Sequence, residues 1–192
     1  MTHILRENEY AALGRVAVSA ARLDAVIELF LADAITHDSQ VGIAIVKGLP
    51  FERKVGMLRE ILALRLPESD DRAELLPHLE AAALLMRDRN EYLHGLWQFD
   101  ADSNLEVRSR ARKTGEFRVR SVSADDLGNA ATRLDELSAL VEDAYLDMLV
   151  DLGAFTAISP GVWQRLPPHR PHGFVLDGTG SSGLLVDFSN VD

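Results

Sequence analysis

"RDRNEYLHGLW" (Arg87–Trp97) is the stretch on which the reading of this chain turns. It closes a run in which Leu75, Leu79, Ala82, Met86, Leu93 and Trp97 recur at the spacing of one helix face. The spacing predicts a helix over about 70–97. Asn90 falls on that apolar stripe, four after Met86 and three before Leu93. A buried amide without partners costs free energy. Arg87, Asn90 and His94 share one face of such a helix, while Arg89 stands five residues before His94 on the other flank of the stripe. Two arginines, an amide and an imidazole within two turns are either surface decoration or a reacting site.

Before this stretch, Leu13, Val16, Ala20, Leu23, Ile27, Phe30, Leu31 and Ala34 predict a long first helix over about 8–35. "THDSQ" reads as a turn or cap, and "VGIAIVKG" as a brief helix. "GLPF" marks a break, since Gly48 and Pro50 stand close together. A second main helix follows on Val55, Leu58, Ile61, Leu62 and Leu64, and stops near Pro67.

After it, the period changes from helical to alternating. "LEVRSRARKTGEFRVRSVS" predicts a β-hairpin at about 104–122, turning at Thr114-Gly115. Leu105, Val107, Ala111, Phe117 and Val119 are expected on one face, with Arg108, Arg110, Arg112, Arg118 and Arg120 on the other. A solvated face and a phosphate-binding face both fit that ribbon. "SADD" opens a fourth long helix, with Ser123 as N-cap and Asp126 completing the capping box. Leu127, Leu134, Val141 and Met148 repeat every seven residues, beside Ala130, Leu137 and Ala144, as in a bundle core or a dimer zipper. Residues 154–192 are rich in Pro, Gly and Ser and read as an extended or flexible tail, whose Trp163 and "GLLVDF" are apolar enough to dock on the body or a partner. The expected fold is mainly all-α. It is an antiparallel four-helix bundle over 1–153, with a β-hairpin insert between the third and fourth helices and an irregular tail.

Composition narrows the function. The chain has 192 residues, 47% of them hydrophobic, enough for one domain with a real core. It has no cysteine, hence no disulfide framework and no thiolate metal site. The opening "MTHILRENEY" is too polar for a signal peptide, and the best apolar run, "AVIELFLADAI", is broken by Glu28 and Asp33, so no membrane span or membrane partner is expected. These features suit a reducing cytoplasm. A net charge of -10 argues against coating nucleic acid with the whole surface, but not against a local basic groove. Apart from Lys47, Lys54 and Lys113 the cations are arginines, through compositional bias or for bidentate phosphate contacts.

The chemistry open to the motif is limited. His94 can exchange a proton near neutrality, Arg89 can hold a phosphate, and Asn90 can orient an oxygen. No Ser stands near His94 in sequence, and no His-x-x-x-His or paired-carboxylate motif appears. His169 and His172 stand three apart among prolines, a weak metal pattern, and neither a metal nor a cofactor is expected. Metal-free phosphodiester cleavage by an RNA 2′-hydroxyl is the reaction these residues suit best.

"RNEYLH" (Arg89–His94) resembles the signature of the HEPN superfamily, an Arg and a His four to six residues apart, often with Asn, Asp or His directly after the Arg. The long first helix, the "GLPF" break, the motif late in a third helix and a long last helix are similar to the family's four-helix bundle over roughly 8–153. The resemblance implies a homodimer whose motif helices face each other across a cleft, with RNA or a nucleotide as ligand. Many members are metal-independent endoribonucleases of toxin–antitoxin, phage-defence or RNA-processing systems, which would add a protein antitoxin or regulator as partner. Carried over, Arg89 engages the scissile phosphate, His94 serves as general acid or base, and Asn90 assists. Arg87 also fits the spacing to His94, and with Arg108, Arg110 and Arg118 it is expected to bind phosphate. One toxin subgroup has Tyr where this chain has Leu96, and neither hairpin nor tail belongs to the minimal bundle. Relatives that do not cut bind nucleotides, RNA or proteins, so a non-catalytic dimeric module is the alternative.

Overall fold

The structure is a computed structural model that describes residues 5–36, 38–102, 104–110, 115–152, 155–159 and 162–165. Among them the chain is mainly helical: α1 (Glu7–Ile35), α2 (Ser39–Val46), α3 (Phe51–Arg65), α4 (Asp70–His94) and α5 (Ala124–Asp151). Strands β1 (Leu96–Phe99), β2 (Leu105–Arg110) and β3 (Phe117–Ser121) form an antiparallel sheet in the order β1-β2-β3, and β4 (Phe155–Ser159) pairs with β5 (Val162–Arg165).

The core is the meeting of α1 with α5. Val16, Ala20, Leu23, Ile27, Phe30 and Leu31 of α1 are fully buried, as are Leu127, Leu134, Val141 and Met148 of α5. The seven-residue repeat of α5 is thus buried within one chain rather than left for a zipper. Asp33, which interrupts the apolar run of α1, is buried against Tyr145. The Tyr145 hydroxyl donates to its Oδ2 at 2.6 Å and Ser39 Oγ to its Oδ1 at 2.8 Å, so the carboxylate is satisfied. Ser123 and Asp126 form the expected capping box of α5.

Helix direction differs from the antiparallel expectation. Arg65 donates to the carbonyls of Ala34 at 2.8 Å and Leu152 at 3.2 Å, clamping the ends of α1 and α5 side by side. Lys54 reaches Asp24 and Glu28 of α1, so α3 follows the direction of α1. α4 runs the other way, with Arg59 near Glu80 and Glu52 near Arg87. α1, α3 and α5 therefore point one way and α4 the opposite. The cause is α2, which turns the chain back along α1. Gly42 lies so close to the Ala32 carbonyl that a Cβ has no room, Gly48 takes a left-handed φ of 81, and Pro50 starts α3 at φ -59.

α4 ends at His94, not near Trp97. Gly95 is extended, and a Cβ there would run into Val107 Cγ2 and the Glu91 carbonyl, so only glycine lets the sheet approach the helix. Leu96–Phe99 then pairs with β2, and the expected hairpin becomes a three-stranded sheet. Gly115 has a φ of 72 where the turn was expected. The tail is not irregular from its start, because β4 and β5 pair. "GLLVDF", His169, His172, Ala111, Arg112, Lys113 and Thr114 lie outside the described residues. Among the described residues no helix is long and apolar enough to cross a membrane.

Candidate functional site

The sheet covers the bundle end where α4 stops and α1 and α5 begin, and its inner face is pinned to α4. Leu105, Val107 and Val122 are buried, and Tyr92 is 2% exposed. Trp97 Nε1 donates to the Tyr92 carbonyl at 2.9 Å. The Arg120 guanidinium lies 5.4 Å from the Tyr92 ring centroid and pairs with Asp88 at 3.2 Å. Burial pushes the Tyr92 hydroxyl above its ordinary value, against the opposing charge of Arg120. Burial works against the Arg120 charge too, but Tyr92 and Asp88 outweigh it and hold its pKa up.

Arg87, Asn90 and His94 share an exposed face of α4, as the spacing predicts. Arg87 Nε lies 3.6 Å from Glu52, an exposed pair of small energetic weight. Asn90 is not on the apolar stripe, contrary to expectation. The buried line runs through Leu75, Leu79, Ala82, Leu85, Met86 and Tyr92. At about 100° per residue, the residue that continues this line past Met86 is Arg89, not Asn90. Arg89 is half-buried there; its Nη1 donates to Asn90 Oδ1 at 2.8 Å, and its Nε is shielded from water without a hydrogen-bond partner. The amide thus aims the arginine. Arg89 and His94 sit about 140° apart around the helix axis and do not converge within one chain.

The arginine ribbon is split between two faces. β2 pairs with β3 through Val107↔Arg120, Arg108↔Val119, Ser109↔Arg118 and Arg110↔Phe117. Directly paired residues share a face, so Arg108 and Arg110 lie with Phe117 and Val119 on the outer face. Arg118 and Arg120 lie with Val107 on the inner one, Arg118 still exposed beyond the helix. The reason is parity. An even number of residues between paired positions puts odd positions of one strand beside even positions of the other. That rule was available from the sequence and would have found Phe117 beside the arginines. The Arg108 guanidinium stacks 4.1 Å from the Phe117 centroid, Arg110 lies 6.0 Å away, and Arg110 Nε donates to the Gly115 carbonyl at 3.2 Å.

Sequence reasoning also missed an open cleft of about 620 Å³ between the starts of α1 and α5, lined in part by Arg6, Glu9, Asn104 and Asp125. The helix starts are capped from within: Glu9 accepts from the Arg6 N–H at 2.6 Å, and Ser123 Oγ from the Asp126 N–H at 3.1 Å. Among the described residues no three His, Cys, Asp or Glu side chains gather as a metal cradle. No family model, curated protein or solved structure matches this chain.

Proposed function

We propose that the chain is a cytoplasmic, homodimeric, metal-independent endoribonuclease of HEPN type, with α1, α3, α4 and α5 as its four-helix bundle. The observation that carries the reading is Arg89, half-buried on the buried line of α4 near the end that the sheet covers, aimed by Asn90 and five residues before an exposed His94. A half-buried guanidinium held in one orientation by Asn90 suits a phosphate, whose oxygens accept from its outer N–H groups.

In this reading the ribose 2′-hydroxyl attacks the adjacent phosphorus. A His94 imidazole takes the hydroxyl proton, the P–O5′ bond breaks, and the 5′-oxygen leaves with a proton from the protonated histidine of the other copy. The products are a 2′,3′-cyclic phosphate and a 5′-hydroxyl. Arg89 balances the charge that builds on the phosphoryl oxygens. Because Arg89 and His94 diverge on one helix, this reading calls for a second copy, whose His94 would meet the exposed edge of the half-buried Arg89. A toxin–antitoxin or phage-defence setting, with a protein antitoxin or regulator, belongs to this proposal.

The test is an RNA panel incubated with EDTA. Cutting by wild type but not by His94→Ala, with cyclic phosphate ends, is the expected result. Equal inertness of both proteins on every RNA favours the non-catalytic binding module.

A further inference from the structure

We propose that the outer face of the β1-β2-β3 sheet is a binding platform for single-stranded RNA, on which a base stacks against the Phe117–Arg108 pair and phosphates meet Arg108 and Arg110. The inference rests on the RNA reading above and extends it to a surface outside the motif.

Three observations converge on this face. The first is exposed apolar surface: Leu96 is 64% exposed, Phe117 57% and Val119 52%, and the strand register places all three together. Clustered apolar groups on a sheet's outer side mark a contact surface.

The second is charge. Four arginines of this acidic chain pair with carboxylates: Arg22 with Glu142, Arg59 with Glu80, Arg87 with Glu52 and Arg120 with Asp88. Arg108 and Arg110 have no carboxylate partner among the described residues. They are held instead by the Phe117 ring and the Gly115 carbonyl. The one acid of the described strands on that face, Glu106, takes a hydrogen bond from Gln98 at 3.2 Å. Two ordered, uncompensated guanidiniums around an exposed aromatic ring fit a polyanion that also carries flat rings. Single-stranded nucleic acid is such a ligand, because its bases stack on aromatic and guanidinium planes while its backbone follows the cations.

The third is position. Leu96 is the second residue after His94 and pairs with Arg108. Two strand residues span roughly 7 Å, so a strand lying on the platform passes the end of the motif helix. An acidic protein partner matches the charge but leaves the stacked ring unexplained.

The experiment uses the full chain and a fluorescent single-stranded RNA of about twelve nucleotides, 2′-O-methylated so that it cannot be cut. Anisotropy is measured across a salt series. Phe117→Ala is expected to weaken binding roughly 5- to 100-fold, and Phe117→Trp to restore it. Arg108→Ser with Arg110→Ser is expected to flatten the salt slope by about 1.4, that is about 0.7 for each phosphate no longer neutralised. Wild-type affinity in Phe117→Ala overturns the platform, as does failure of the wild type to bind. A polyglutamate peptide that binds as tightly as the RNA, and loses as much in Phe117→Ala, assigns the face to an acidic protein instead. Cutting is read separately on unmodified RNA. Platform binding without any cutting removes the ribonuclease reading alone, and cutting with unchanged affinity in Phe117→Ala removes the platform alone.

Discussion

Arg108 stands directly across the strands from Leu96, the second residue after His94. The outer face of the sheet therefore begins where the motif helix ends, and paired backbone rather than a loose loop joins the two surfaces. A change at Gly95 or Val107 moves both, while a change at His94 or Phe117 affects one.

His94 is exposed, so His94→Ala leaves thermal stability within about 0.5 kcal/mol. It lowers single-turnover RNA cleavage by roughly 10²- to 10⁴-fold, the usual weight of a general acid or base. Asn90→Ala frees Arg89 from its 2.8 Å hydrogen bond and lowers cleavage by about tenfold at unchanged stability. A loss of cleavage matched by a loss of melting temperature would mean that both residues serve the fold.

Gly95→Ala puts a methyl group into Val107 Cγ2 and the Glu91 carbonyl, and the carbonyl cannot yield without disturbing the last turn of α4. The variant should lose about 1–3 kcal/mol in urea unfolding, as overpacked sites do. Gly14→Ala, where nothing lies near the added methyl, serves as control and should hold or gain stability.

Lys54 is buried and bonded to both Asp24 and Glu28. Lys54→Met leaves two carboxylates without their cation. Since both reach water, the cost should fall near about 3 kcal/mol, the low end for a broken buried pair. Burial lowers the Lys54 pKa, but its hydrogen bonds to Glu28 and Asp24 outweigh that and hold it above 10.5. Its folded value is raised, so its contribution is complete below 10.5 and is lost as pH rises through the folded value. Tyr92 acts in the same direction, because burial favours its neutral hydroxyl and stability falls once pH passes 10.0. Urea melts near neutrality and in the alkaline range should show the Lys54→Met deficit shrinking at high pH.

At the acid end, Asp126 is held below its ordinary value of 3.8 by hydrogen bonds from the side chain and backbone of Ser123. Its folded value is lowered, so its stabilisation is present above 3.8 and is lost as pH falls through the folded value. Ser123→Ala should cost about 1 kcal/mol at neutral pH. It should also reduce the loss of stability on acidification; an unchanged acid limb would show that the box adds no pH dependence.

Light scattering at micromolar concentration should give a dimer, and Arg89→Glu should weaken or abolish it, because the proposed composite site sets two motif helices face to face. A monomer that still cuts RNA would remove the composite site.

The sequence alone carried much of this molecule, because local pattern and local physics agree for most of it. The long apolar periods of α1 and α5, the cap at Ser123, the break at Gly48 and Pro50 and the alternation of β2 and β3 were legible, whereas the helix that ends at His94 was expected to run to Trp97. So was the shared exposed face of Arg87, Asn90 and His94, since i, i+3 and i+7 positions coincide on any helix. Sequence also supplied the motif that suggests a function.

Tertiary structure decided what depends on partners distant in sequence. The direction of α3 turns on how closely Gly42 lets α2 lie on α1. That Arg89 rather than Asn90 continues the buried line follows from where α5 and the sheet press on α4, not from residue type. Which of the two arginine faces meets α4 follows from how the sheet lies on that helix, and the place of Leu96 beside Arg108 from the β1–β2 register. Periodicity tells which residues of one element lie together. Only the pairing of elements tells which of those faces meets the core and which is left to meet a ligand.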